Sequence, residues 1–226
     1  MEKIIQQINE WPFLRQLPET MMDFRLVVEL KQYGTQYRIF TYSNLNRRRN
    51  FSVLYDQTTK EYFVRLVIGL TEFYDIRFIA DDLNTFETLL AANMEQSLRS
   101  LAGFDQTSLC SVFRAKKIIE WPFGGQLPEK VAGFDLFIRP TEPVRGINGS
   151  YIIIDYSDFA AESGLLIFYN IYRDEFFGEL RVRRTPQVVS AFDAKTLAEL
   201  EENIKANLQI TLQNLRKQLN MEKVSD

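Results

Sequence analysis

The sequence predicts an α+β protein of two tandem modules, each a short helix, an antiparallel meander of about five strands and a long C-terminal helix packed on one sheet face. Three observations predict it: a ten-residue motif that occurs twice, short aromatic-rich runs between turn residues, and an amphipathic pattern that closes each copy. EWPFLRQLPE at 10–19 and EWPFGGQLPE at 120–129 agree at eight of ten positions and contain both tryptophans of the chain. An offset of 110 holds through Phe24/Phe134 and Leu26/Leu136 and then becomes 114, so that Tyr42 meets Tyr156, Tyr55 meets Tyr169, Phe63 meets Phe177 and Phe78 meets Phe192. A four-residue insertion in the second copy, within 140–149, accounts for the change, and a surface loop tolerates it. The modules are therefore 1–110 and 111–226, and such copies can pack about a pseudo-twofold axis as one domain.

In order along each copy, a short helix or turn comes first and is stopped by the proline of WPF. Strands are expected near 24–31, 37–42, 51–56, 62–68 and 73–79, and in the second copy near 134–139, 151–156, 165–171, 176–183 and 187–192. Their short connections favour antiparallel pairing, since parallel strands need long crossovers. The closing helices carry Leu83, Phe86, Leu90, Met94, Leu98 and Leu101, matched by Leu197, Leu200, Ile204, Leu208, Leu212 and Leu215. That spacing buries one helix face, and the sheet of the same module is the surface to bury it against. Asp81 and Asp193 stand where an N-cap acceptor belongs.

Alternation divides each strand between a face under the helix and a face away from it. Phe24, Leu26 and Val28 with Phe134, Leu136 and Ile138 read as core, as do Tyr62, Val64, Leu66 and Ile68 with Phe176, Gly178, Leu180 and Val182. The other face mixes aromatic and charged residues, and Phe63, Arg65, Phe137, Phe177, Arg181 and Arg183 are the candidate residues there for a ligand or partner. On that face Arg25/Asp135, Glu29/Arg139 and Arg65/Glu179 reverse sign between copies, so equivalent residues near a twofold axis would attract.

Composition narrows the function. The apolar fraction of 46% with 25% charged residues is that of a folded globular chain, and no run is long and apolar enough for a membrane helix. The start, MEKIIQQINEWPF, lacks the features of a secretory signal, so a cytoplasmic location is expected. The absence of histidine removes Ser-His-Asp and Cys-His catalysis, and a single cysteine, Cys110, allows neither an internal disulfide nor a thiolate-rich metal site. No phosphate-binding glycine loop, CxxC or HExxH is present, so no cofactor, metal site or catalytic residue is expected. The basic clusters Arg47-Arg48-Arg49 and Arg181, Arg183, Arg184 fall at non-equivalent places in a chain of net charge −3, which argues against nucleic acid. The expected function is a non-catalytic binding protein that recognises a partner protein or a small ligand through the sheet face opposite the helices. A nucleic-acid-binding saddle is the alternative, followed by an enzyme without histidine chemistry.

Overall fold

The computed structural model describes residues 2–146 and 148–222. It divides into two compact units, Met1–Gly103 and Phe104–Asp226, each an antiparallel sheet with a long helix. The first unit holds α1 (Glu2–Asn9), strands β1 (Thr20–Met21), β2 (Phe24–Tyr33), β3 (Gln36–Asn44), β4 (Arg49–Asp56), β5 (Glu61–Ile68) and β6 (Thr71–Ala80), and then α2 (Leu83–Ala102). The second holds α3 (Ser111–Ala115), β7 (Lys130–Val131), β8 (Phe134–Ile138), β9 (Val144–Arg145), β10 (Ser150–Asp158), β11 (Ser163–Asn170), β12 (Glu175–Val182), β13 (Thr185–Ala194) and α4 (Leu197–Glu222). Strand order is β1 to β6 in sequence in the first sheet and β13-β12-β11-β10-β8-β7 in the second, with β9 paired to β10. The five expected strands of each copy are present within a few residues. The two-residue pieces β1, β7 and β9 carry too short a pattern to be seen in sequence.

Phe86, Leu90, Met94, Leu98 and Leu101 are buried on α2, and Leu200, Ile204, Leu208, Leu212 and Leu215 on α4, so the apolar stripe faces the sheet in both units. The space between helix and sheet is filled by rings: Tyr62 stacks on Phe86 at 5.4 Å, and Phe113 packs on Tyr151 at 4.4 Å. In the duplicated motif the proline begins a 3-10 turn, Pro12–Arg15 or Pro122–Gln126, where its missing N–H costs nothing. Two hydrogen bonds recur around it. Trp11 Nε1 donates to Glu87 on α2 at 2.6 Å and Trp121 Nε1 to Glu201 on α4 at 3.2 Å. Tyr42 Oη donates to the Pro18 carbonyl at 2.8 Å and Tyr156 Oη to that of Pro128 at 2.7 Å. The Leu14 to Gly124 difference follows the insertion, because a Cβ at Gly124 would lie 2.9 Å from Cγ of Pro140.

Both expected caps are corrected. On α2 the acceptor is Asp82 rather than Asp81: its side chain takes the N–H groups of Asn84 and Thr85, both at 3.0 Å. Asp193 lies inside β13, and α4 is capped by Thr196, whose Oγ1 accepts from Glu199 N at 3.1 Å while Glu199 Oε2 accepts from Lys195 N at 2.7 Å. This is a capping box shifted by one residue. Thr196→Ala should lower stability by about 1 kcal/mol, read from urea unfolding curves; an unchanged midpoint would remove the cap from the account.

Two core assignments also change. Ile138 pairs with Asp155 across a register shift in β8, which turns it to the face away from α4. Val28 stays in register with Phe40 on the helix face yet is 45% exposed.

Candidate functional site

The face away from the helices is half closed in each unit. In the first, Thr41, Ser52, Leu54 and Phe63 are buried at its centre. Glu29 accepts from Arg38 at 3.0 Å and from the Thr41 hydroxyl at 2.9 Å, and Arg38 lies over the Tyr33 ring at 4.5 Å. In the second, Ile138, Ile152, Leu166 and Phe168 are buried with Asp155 and Ser157. Asp155 is fully buried; Oδ1 accepts from Ser157 Oγ at 2.5 Å, and Oδ2 has no hydrogen-bond partner among the described residues. Burial pushes its carboxyl up to about 6, against the opposing pull of the Ser157 hydrogen bond and of the Arg181 charge.

The six candidate residues separate into four places. Phe63 is buried edge-on to Tyr74 at 4.9 Å, with Arg65 on the same face beside Glu72. Phe177 is stacked on Phe168 at 4.9 Å, with Arg181 on the same strand held by Glu179 at 2.9 Å. Phe137 packs edge-on to Phe159 at 5.1 Å, at the β8 side of the sheet. Arg183 leaves the sheet: with Arg184 it forms the β12–β13 turn, both at positive φ, and borders a shallow depression of about 240 Å³ with Leu219 of α4. Five of the six sign-reversed residues find partners within their own unit. Glu29 pairs with Arg38, Arg65 with Glu72, Asp135 with Lys130, Arg139 with Glu129 and Glu179 with Arg181.

On the outer face a concavity lies beside Phe177. It is a groove of about 650 Å³ over the end of β12 and β13, bordered by Phe177, Val188, Asp193, Glu175, Lys195 and Ser150. Register explains why it forms. Gly178 pairs with Val189 but Phe176 with Ala194, so β13 carries three extra residues and bows away from β12. The first unit has the same bow, with Val64 paired to Asp75 and Tyr62 to Ala80. There the residue beside the bow is Tyr74, whose ring fills the space against Phe63; the equivalent in the second unit is Val188, 84% exposed. Ring stacking places Phe168, on β11, against one face of Phe177, so its other face looks toward β13 and the groove.

The polar wall is charged. Glu175 accepts from Lys195 at 2.9 Å and from Arg173 at 3.3 Å, and these cations, Lys195 first, hold its carboxylate below the ordinary range. Asp193 has no ion pair among the described residues; burial and then the charge of Glu175 hold its carboxyl above the ordinary range. At the far end Asn170 Nδ2 donates to Ser150 Oγ at 3.0 Å.

Elsewhere the basic clusters have structural work. Arg47 and Arg49 donate to the Ala102 and Leu101 carbonyls at the end of α2, where cations offset the helix dipole, and Arg184 pairs with Glu162. Cys110 is partly buried against the second core at the start of α3. Among the described residues no group of three or more Asp, Glu or Cys is placed to hold a metal, and no helix is long and apolar enough to cross a membrane. Comparison with family models, curated proteins and solved structures found no match.

Proposed function

We propose that the protein is a non-catalytic binding protein that takes a small ligand on the outer sheet face of its second unit. The observation that carries this reading is the groove over Phe177, which the first unit closes with Tyr74 and the second leaves open at Val188. A concave site with an aromatic floor, an aliphatic wall and a few convergent polar groups is the ordinary form of a small-molecule site. The filled helix–sheet layer supports the same choice, since rings and leucines occupy the space that an enclosed ligand would need.

Amide chemical shifts of the full chain, followed during addition of a library of small aromatic and aliphatic fragments, provide the test. Shifts should concentrate at Phe177, Val188, Asp193 and Lys195 and leave Phe63 and Tyr74 unmoved. Hits that map only to other surfaces would overturn the assignment. A protein partner is the second reading, favoured by the exposed Val27, Tyr33, Ile76 and Ile79 of the first unit. The carbonyl and carboxylate partners of Arg47, Arg49 and Arg184 weigh against nucleic acid, whose affinity comes from cations directed at phosphates.

A further inference from the structure

We propose that the groove selects a flat aromatic ring that carries an ammonium group, a class that can be read from what the first unit puts in the same place. This rests on the reading of the groove as a ligand site and names its ligand. Tyr74 and Val188 occupy the same register position: Tyr74 faces Arg65 across β5 and β6, and Val188 faces Glu179 across β12 and β13. The ring of Tyr74 meets Phe63 at 83°, the edge-to-face geometry that aromatic pairs prefer. A ligand ring that meets Phe177 in the same way replaces a contact that the fold already uses.

The charge on the ligand follows from the wall. Three carboxylates, Glu175, Asp193 and Glu199, face two cations, Arg173 and Lys195. Glu175 engages both cations, and Glu199 accepts from the backbone at the start of α4. Asp193 is left as an acceptor with no ion pair among the described residues and with Glu175 on the same wall, and an ammonium is the group that two such carboxylates attract. In the first unit this position is Ile79, the Lys195 position is Asp81 and the Arg173 position is Thr59, so Asp193 and the two cations belong to the second copy alone. A cation beside the face of Phe177 gains from the ring as well. At the opposite end Ser150 and Asn170 stand where Gln36 meets the Tyr74 hydroxyl in the first unit, and they suit a phenol or another polar substituent.

Three probes of one shape separate the parts: tyramine, 4-ethylphenol and 4-hydroxyphenylacetate, titrated into the full chain and into Asp193→Asn and Val188→Tyr while amide shifts are followed. Tyramine should bind with a Kd on the order of 1 mM, as suits so small a ligand, and 4-hydroxyphenylacetate at least about fivefold more weakly. Asp193→Asn should cost tyramine about fivefold and leave 4-ethylphenol unchanged, and Val188→Tyr, at an exposed strand position, should abolish all three. Equal affinities for the three probes, with Val188→Tyr still abolishing them, would keep the groove as a ligand site and overturn the ammonium. No shifts from any probe at about 10 mM, ten times the expected Kd, or shifts that survive Val188→Tyr, would overturn both. Unfolding curves of each variant show that a loss of binding is not a loss of fold.

Discussion

Trp121→Ala should lower the stability of the second unit by about 3 to 5 kcal/mol, and Trp11→Ala should do the same to the first. Both indoles are almost fully buried, at 6% and 4% exposure. Each is clamped between a neighbouring phenylalanine and the long helix: Trp11 stacks on Phe13 at 4.9 Å and leans on Phe86 at 6.4 Å, and Trp121 packs on Phe123 at 5.4 Å. Truncation opens a large cavity at the point where the chain enters the sheet, and the prolines that follow each indole, Pro12 and Pro18 or Pro122 and Pro128, restrict the backbone that would have to collapse into it. It also leaves Glu87 or Glu201 without its indole donor. Trp121→Phe separates the two contributions: it keeps most of the ring volume, removes the N–H, and should cost about 1 to 2 kcal/mol. Because each unit holds one tryptophan, the fluorescence of the remaining one reports the unaltered unit, while circular dichroism reports both. An alanine variant that unfolds within about 1 kcal/mol of the parent would show that the motif is not a core plug, since truncation of a packed aromatic costs more than that.

The motif was the strongest signal in the sequence, and its role in the fold was legible because packing leaves duplicated residues. Six apolar positions on each closing helix fall under the same rule, and ten of those twelve side chains are buried, with Leu83 and Leu197 partly so. The caps were less legible. Asp81-Asp82 offers two adjacent acceptors, and the choice depends on where β6 ends. At α4 the bow in β13 carries Asp193 into the strand and hands the cap to Thr196, which propensity alone would have allowed. The outer face was legible as aromatic and charged but not as buried, since alternation tells which residues share a face and not what depth they reach. Phe177 was found because it is aromatic in both copies. The groove above it was not, because it arises from a difference, Tyr74 against Val188, next to three extra residues that strict alternation conceals.

Asp155→Thr should stabilise the second unit by up to about 3 kcal/mol at pH 8 and by almost nothing at pH 4. Threonine is the residue at the equivalent position of the first unit, Thr41, where it is also buried and hydrogen-bonded, so the strand accommodates it. The sign comes from the direction of the shift. Burial raises the Asp155 carboxyl to about 6 in the folded chain, whereas the unfolded chain releases the same proton near the ordinary aspartate value of 3.8. Below that lower value both states hold the proton and the residue carries no electrostatic penalty. Between the two values only the folded chain keeps it, and stability falls as pH rises; above about 6 both states are ionised and the folded chain bears the full cost of a buried carboxylate. The hydrogen bond from Ser157 does not cover Oδ2, and Arg181 is itself engaged by Glu179 at 2.9 Å, which dilutes the attraction it offers. Threonine removes the ionisable group, and its hydroxyl can still meet Ser157. Urea unfolding of parent and variant at pH 4, 6 and 8 measures the difference. A gain that grows from pH 4 to pH 8 is the expected result. A variant less stable than the parent at pH 8 would mean that Asp155 is held as an ion pair with Arg181, and a gain independent of pH would mean that packing, not charge, decides the effect.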